Sequence, residues 1–222
     1  MSSSQPILPP KARQQRNHAE MRAAILQAAR AVMREQGVAD LNLQEVARRV
    51  GMRAPSLYNY FDGRNAIYAA LFADGMRLYC DRLEALHAQY GGTWEGLQKV
   101  MEGYLAFGLE HPELYQLLFE RPVPGFVPSD EGLEQSQRLL GIARRMAGDA
   151  VTAGTLQPPV SLDVTVNLVV ALMHGITALH LANEPHLPSG EGRFGSLIPV
   201  MIDLLSRAWG QDSQSESQIS QG

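Results

Sequence analysis

The chain has 222 residues, of which 19 are Lys or Arg and 23 are Asp or Glu, so its formal net charge is −4. An acidic balance argues against a protein that wraps nucleic acid over its whole surface, because such proteins are usually basic. The hydrophobic share of 45% supports a packed core and excludes a disordered chain. The single cysteine, Cys80, excludes an intrachain disulfide and a cysteine-based zinc site.

The two ends of the chain have little to bury. Residues 1–16 begin with serines and prolines and are predicted to form a flexible N-terminal arm, and residues 210–222 are predicted to be a disordered tail. Neither end resembles a targeting segment, and the longest apolar stretch, 168–182, is interrupted by polar residues and is short for a bilayer. We therefore expect a cytoplasmic protein that does not enter a membrane.

Apolar residues recur at helical spacing along nearly the whole chain, which predicts an all-α fold. The first helix is predicted over 17–36 and is stopped by Gly37. A second, over 42–50, begins at Asn42, which forms a variant capping box with Glu45, and it is followed by Gly51. Later helices are expected over 54–61, from a cap at Asp62 to about 88, and then over 93–110, 112–120, 131–153, 162–182 and 193–209.

The segment 42–61 has the form of a helix-turn-helix, in which two short helices are joined by a tight turn. Its second helix would bury Leu57 and Phe61 on one arc. The opposite arc carries Pro55, Ser56 and Asn59, with Tyr58 and Tyr60 on its flanks. Hydroxyl and amide side chains of this kind can bond phosphate oxygens and base edges, so the segment predicts contact with the DNA major groove.

The charge is divided unevenly along the chain. Residues 11–65 hold ten basic and five acidic side chains, a net charge of +5, whereas the rest of the chain is −9. A basic N-terminal quarter on an acidic body is typical of a DNA-reading head attached to a separate regulatory domain.

A family resemblance rests on the motifs of this same segment. The runs Ile25–Ala29, Leu43–Ala47 and Ser56–Phe61, with Val50-Gly51 between the last two, resemble the N-terminal domain of the tetracycline-repressor (TetR) family over about residues 22–71. The resemblance implies a three-helix DNA-binding domain, here 17–65, followed by a helical bundle for ligand binding and dimerisation, here 66–209. It also implies a homodimeric transcriptional regulator, most often a repressor that a small molecule releases from a pseudo-palindromic operator by tilting the fourth helix.

The resemblance also implies roles for single residues. Gln44 would reach a base, Pro55, Ser56 and Asn59 would face the groove, and Tyr58, Tyr60 and Arg64 would contact phosphates. Arg53 departs from the family, which commonly has Ser or Thr there as a helix cap; a guanidinium could instead reach a phosphate or a guanine. Surface or packing roles remain open for Gln44, Tyr58, Arg48 and Arg49. Lys11, Arg13 and Arg16 could follow the duplex or lie in a disordered tail.

The body is expected to supply a ligand chamber and a dimer interface. The helices 162–182 and 193–209 are apolar on more than one face, so each must be buried on two sides, one of them against the partner subunit. Aromatic, Met and His side chains of the inner helix faces are candidates for the chamber, which would suit a lipophilic ligand, although such residues are also typical of plain core. The candidates are Tyr79, Tyr104, Phe107, His111, Phe119, Phe126, Met146, Met173 and His174.

A rival class is a helical-bundle metalloenzyme, for which Glu84 and His87 supply one Glu-x-x-His pair. No second copy of that pair, no phosphate loop and no nucleophile motif is present, so no catalytic residue, metal or cofactor is expected. A helical adaptor that binds only protein is a third class, and the basic head counts against it.

Overall fold

The computed structural model describes residues 9–210, and all regular elements in that range are helical, which confirms the predicted fold class. The elements are α1 (Pro10–Gln36), α2 (Leu43–Arg49), a 3₁₀ helix (Ala54–Asn59), α3 (Arg64–Tyr90), α4 (Trp94–Glu110), α5 (Pro112–Tyr115), a π-helical turn (Gln116–Glu120), α6 (Asp130–Thr152), α7 (Leu162–Asn183), α8 (Gly192–Gly195) and α9 (Leu197–Trp209). We call residues 9–65, which hold α1, α2, the 3₁₀ helix and the first two residues of α3, the head, and residues 66–210, which hold the rest of α3 to α9, the body.

Local sequence signals set the boundaries of the head helices. The Asn42 side-chain oxygen accepts hydrogen bonds from the backbone N–H groups of Gln44 and Glu45 at 2.9 and 3.3 Å, as expected of a cap. Gly37 and Gly51 have φ angles of 98° and 72°, a region that favours glycine. The helix ends therefore follow from single residues that the sequence displays.

Three predictions about the head need correction. The third helix is a 3₁₀ helix that ends at Asn59, because Pro55 and the short apolar spacing allow only about two tight turns. The capping box is half formed, since the Glu45 carboxylate binds arginines. Asp62 does not cap the next helix; Gly63, with φ 91°, stands at that position and no side chain caps α3.

The predicted flexible arm 1–16 is wrong for residues 10–16, which form the first turns of α1. Proline at the first helical position has its φ angle already set for a helix, and the Ala, Arg and Gln residues that follow are good helix formers. These residues carry no apolar stripe, so periodicity does not reveal them. Residues 1–8 and the predicted disordered tail from 211 onward lie outside the described residues.

The body is built around α3, which packs against α4 and α6 along its length. Its core is rich in aromatic side chains, and Tyr68, Phe107 and Tyr115 are fully buried. The helix predicted over 112–120 is divided into α5 and the π-helical turn, which ends at Arg121 in a left-handed conformation with φ 50°. As a separate short helix, α5 contacts α1 of the head as well as α3 and α4 of the body.

Head and body are joined by a buried ion cluster. The Glu113 carboxylate on α5 is completely shielded from solvent and accepts hydrogen bonds from Arg30 Nε at 2.8 Å and from Arg34 Nε and Nη2 at 3.0 Å each. Arg30 Nη2 also donates to His111 Nδ1 at 3.0 Å. Desolvation opposes ionisation of Glu113, but the bonds from Arg34 and Arg30 outweigh it, so the pKa of this carboxyl lies below its ordinary value.

We expect Glu113→Gln to lower the free energy of unfolding by about 3 kcal/mol at pH 7, because two guanidinium groups lose their anionic partner. Urea denaturation followed by circular dichroism measures the change. The matched control is Glu110→Gln, an exposed carboxylate on the preceding helix that pairs with Arg82; we expect a loss below about 1 kcal/mol.

The same variant has a predicted pH dependence. Because the native pKa of Glu113 is depressed, its stabilisation is fully present above the unfolded-state value of about 4.3 and is lost as pH falls through the native value. The difference in free energy of unfolding between the wild type and Glu113→Gln should therefore become smaller in acid. If this difference stays constant between pH 7 and strongly acidic solution, Glu113 is not ionised in the native protein.

Candidate functional site

The outer surface of the head carries most of the side chains predicted to contact DNA. Tyr58 is 61% exposed, and Asn59 and Pro55 are exposed beside it, whereas Leu57 of the same 3₁₀ helix is buried. Gln44, Arg53 and Arg64 are also exposed, and Ser56 and Tyr60 are half-buried. Tyr58 is therefore a surface side chain, and the alternative that it packs into the core of the head is wrong.

Tyr60 is held by α1 rather than left free. Its ring stacks on His18 with centroids 4.8 Å apart, and its carbonyl oxygen accepts a hydrogen bond from Arg22. The His18 ring lies 3.5 Å from the carbonyl oxygen of Asn59. Sequence reasoning missed His18, because it is about forty residues away from the segment it contacts and no motif marks it.

Many of the basic side chains of the head are neutralised within the protein. Arg48 and Arg49 bind Glu45, and Arg49 also binds Glu35, so these two arginines are paired rather than merely solvated. Hydrogen bonds from both arginines lower the pKa of Glu45 to about 2, so these pairs persist at neutral pH. Arg30 and Arg34 are bound to Glu113, as described above.

Five cations of the head have no ion-pair partner within residues 9–210. One of them, Arg22, is held by the Tyr60 carbonyl oxygen and the Phe61 ring. The other four are Lys11, Arg13, Arg53 and Arg64. Arg53 stands at the N-cap of the 3₁₀ helix with no side-chain cap bond, as its residue type predicts. Lys11 and Arg13 project from the first turns of α1 and are exposed. The positive charge available to an external anion is therefore carried by these four side chains.

The body has a cavity of about 470 Å³ between α3, α4, α6 and α7. The cavity is partly open to solvent, since Leu140 and Val170 of its lining are exposed. Its wall is mostly aliphatic and aromatic, with Trp94 and Leu97 from α4, Leu139 and Ala143 from α6, and Val169 from α7. Six of the side chains predicted to line a chamber do so: Tyr79, Tyr104, Phe119, Met146, Met173 and His174.

Three predicted chamber residues lie elsewhere. His111 belongs to the ion cluster with Arg30, and burial together with Arg30 lowers its pKa. Phe107 is fully buried between Tyr79 and His111, one layer behind the cavity wall. Phe126 packs against Tyr68 and Phe72 near the start of α3. Each is an aromatic or histidine side chain at helical spacing that forms core rather than wall.

The polar groups of the cavity cluster around His174. The Nδ1 atom of this residue lies 3.0 Å from the Tyr104 hydroxyl and 3.1 Å from the Tyr115 hydroxyl, and its ring stacks on Tyr115. Burial raises the pKa of Tyr79 and of Tyr104, and it raises the pKa of Tyr115 to about 12. All three hydroxyls therefore keep their protons at neutral pH.

The residues of the metalloenzyme alternative are engaged in other contacts. Glu84 pairs with Arg138 at 2.8 Å and with Arg145 at 3.4 Å, and His87 Nε2 lies 2.8 Å from an Asp149 carboxylate oxygen. Within residues 9–210, no group of three His, Cys, Asp or Glu side chains could hold a metal ion. The described geometry thus offers no support for a metal centre at Glu84 and His87.

Comparison with known proteins gives matches over both halves of the chain. Residues 25–71 match the family model described as bacterial regulatory proteins, tetR family, and residues 97–197 match the tetracyclin repressor-like C-terminal domain. The HTH-type transcriptional regulator YobS of Bacillus subtilis is 27% identical over 92 residues, which are 41% of this chain. The matched region spans about half, 48%, of that relative.

Solved structures agree with the fold over most of the chain. The regulatory protein SCO4313 is 25% identical with a TM-score of 0.69, covering 86% of this chain and 97% of its own. The transcriptional regulator FadR from Bacillus subtilis, in complex with stearoyl-CoA, is 16% identical with a TM-score of 0.68, covering 84% of this chain and 98% of its own. The likeness to FadR shows the fold alone. With both family domains present in order along one chain, the protein belongs to the tetracycline-repressor (TetR) family of bacterial regulatory proteins.

Proposed function

We propose that the protein is a cytoplasmic, homodimeric transcriptional repressor that leaves a pseudo-palindromic operator when a small lipophilic ligand enters the body. The observation that carries this proposal is the 470 Å³ cavity between α3, α4, α6 and α7 of the body. A pocket of this size and apolar character suits a small molecule. Membership of the TetR family supports a DNA-binding role for the head and an effector-binding role for the cavity.

The head supplies the chemistry for duplex recognition. Gln44 and Asn59 are exposed amides that can bond base edges in a major groove, and Pro55 and Ser56 lie beside them. Tyr58, Tyr60 and Arg64 are assigned to phosphates, as is Arg53, which has no ion-pair partner in the described chain. Because internal ion pairs neutralise so much of the head, Arg53 and Arg64, together with Lys11 and Arg13 of α1, should supply most of its electrostatic attraction to DNA.

The outer faces of α7 and α9 are the proposed dimer interface. Leu204 is 61% exposed, and a run of large apolar side chains is exposed beside it or on α7: Val164, Leu168, Val170, Leu172, Leu179, Leu197 and Val200. By length and composition alone α7 is long and apolar enough to cross a membrane, and only 28% of its most apolar window is buried in the single chain. This apolar surface needs a partner. A second copy would cover both helices with a four-helix interface and remove this surface from water.

The cavity and the head are connected through α5. His174 of the cavity wall stacks on Tyr115, and Tyr115 lies two residues after Glu113, which holds Arg30 and Arg34 of α1. A ligand that shifts His174 would move α5, and with it the anchor of the head and the neighbouring α3. Turning a 99:1 equilibrium between DNA-binding and released spacings into 1:99 requires about 5.5 kcal/mol of preferential ligand binding.

The fold neighbour FadR is described in complex with stearoyl-CoA. That ligand belongs to FadR, and the likeness in fold supports only the general idea that a helical body of this type can accommodate a lipophilic molecule. The apolar wall of the cavity supports the same ligand class in this protein.

We expect Arg64→Ala to weaken binding to every duplex, because a phosphate contact carries no sequence information. The test begins by selecting a binding site from a random duplex library, which should yield a pseudo-palindrome. On that duplex, fluorescence anisotropy at several salt concentrations should show the slope of log K against log salt reduced by about 0.9 for each lost phosphate contact.

The control for Arg64→Ala is Arg144→Ala, an exposed arginine of the body that pairs with Asp163 and should leave the slope unchanged. Gln44→Ala should instead alter base preference at one position of the selected site with little effect on the slope. Wild-type affinity and slope in Arg64→Ala would contradict the phosphate assignment, and a selected pool without symmetric sites would contradict dimeric recognition.

We expect Leu204→Glu to convert a dimer into a monomer at micromolar concentration, because a carboxylate would be buried unpaired in an apolar interface. Size-exclusion chromatography with light scattering measures the mass directly. The control is Val127→Glu, in the loop before α6, where the side chain is 75% exposed and the chain should remain dimeric. A wild-type monomer, or a Leu204→Glu dimer, would overturn the interface.

A further inference from the structure

The charge of the cavity lining restricts the charge of a ligand. None of the residues from 9 to 210 that line it is an Asp, Glu, Lys or Arg. A carboxylate or phosphate placed inside would lose its hydration without gaining a cation, which is strongly unfavourable. The wall therefore selects against a ligand that places a charge in the cavity.

Part of the hydrogen-bonding capacity of the wall is already used by the protein. The hydroxyl groups of Thr93, Ser136 and Thr165 donate to backbone carbonyl oxygens within their own helices or caps. Their protons are therefore not free to orient a ligand. Trp94, Thr155 and Asn167 also line the cavity, and their side chains make no hydrogen bond within residues 9–210. Asn167 is exposed to solvent. In the described part of the wall, the one place where several polar groups converge is His174.

The contacts of His174 determine which of its nitrogens can serve a ligand. A neutral imidazole has one donor nitrogen and one acceptor nitrogen. The hydroxyls of Tyr104 and Tyr115 both lie within hydrogen-bond distance of Nδ1. We assign Nδ1 as the acceptor from one of these hydroxyls, which places the proton on Nε2. In the described part of the chain Nε2 has no hydrogen-bond partner, although its residue lines the cavity. An N–H donor is thus left for a ligand.

The volume limits how much of a ligand can be buried. At about 30 Å³ for each non-hydrogen atom in a condensed phase, a cavity of 470 Å³ holds roughly 16 such atoms. A medium-length chain fits within this limit as a whole, whereas a larger molecule would extend through the open side into solvent.

We propose that the effector is an uncharged lipophile of medium length with one carbonyl group, a ketone or an ester, whose oxygen accepts a hydrogen bond from His174 Nε2. This inference rests on the proposed function and specifies its ligand. This ligand differs from the stearoyl-CoA of the FadR complex, because no Lys or Arg among the described lining residues could pair with an anionic head group. His174 fixes the polar end of the ligand, and the aliphatic wall holds the remainder.

The test compares probes of equal size and different charge: 2-undecanone and decanoate, which each have twelve non-hydrogen atoms, and decanoyl-CoA as a third ligand. Binding at pH 8 is followed by tryptophan emission, because Trp94 lines the cavity. We expect 2-undecanone to bind with a dissociation constant at least tenfold lower than that of decanoate or decanoyl-CoA. Equal or tighter binding of either anion, or no binding by any probe, would overturn the proposal.

Variants of His174 test the orientation. His174→Phe keeps the ring but loses the donor, and it should weaken 2-undecanone binding about five- to tenfold. His174→Gln, which places an amide N–H near the position of Nε2, should recover most of that affinity. The control is His186→Phe, an exposed histidine outside the cavity, which should bind as the wild type does. Wild-type affinity in His174→Phe, or equal losses in the Phe and Gln variants, would contradict the assigned donor.

The ligand inference and the proposed function can fail separately. Affinity for the selected duplex is measured on the same preparation without a probe, so the test of DNA binding is independent of the test of ligand binding. If 2-undecanone binds as expected and the duplex stays bound, the ligand class holds and release by that ligand is wrong. If the duplex binds and every probe fails, the ligand inference is wrong and the DNA-binding function remains.

Discussion

The buried carboxylate of Glu113 is the constraint on which the arrangement of the head depends. A carboxylate completely shielded from solvent is unfavourable unless cations replace its hydration, and here Arg30 and Arg34 of α1 supply three hydrogen bonds. The pair cannot form unless α1 lies against α5, so the electrostatic requirement fixes where the head sits on the body. It also explains why these two arginines, although they belong to the basic N-terminal quarter, are not available to DNA.

The short helix α5 is constrained on its other sides as well. Leu114 and Leu118 approach α3 at Gly75, where a Cβ atom would lie 3.2 Å from Leu118, so α5, the π-helical turn and α3 are closely packed there. Tyr115 reaches the cavity by stacking on His174 and by placing its hydroxyl 3.1 Å from Nδ1. Because these elements are closely packed, a displacement of one of them moves its neighbours. We infer that a ligand at His174 and a duplex at the head compete through the position of this one helix.

Local features were predictable from sequence, and contacts between distant segments were not. Asn42 and Gly51 act at positions one or two residues away, so a single sequence displays them, and the inward faces of regular helices gave six of the cavity residues. His111 and Phe126 were misplaced because their neighbours, Arg30 and Tyr68, come from other elements. The first turns of α1 were missed because charged helix formers leave no apolar pattern. The pairing of head arginines with Glu113 needs the fold itself, since their separation in sequence is about eighty residues.

We infer that the Glu113 cluster fixes the position of the head on the body. Pulsed electron spin resonance tests this in the proposed dimer, with one spin label on each head at Asn65→Cys in a Cys80→Ser chain, since Asn65 is exposed at the start of α3 and Cys80 is the one cysteine of the sequence. We expect a narrow distribution of head-to-head distances in this chain and a clearly broader or shifted one when Glu113→Gln is added. Distributions of the same mean and width in the two proteins would contradict it.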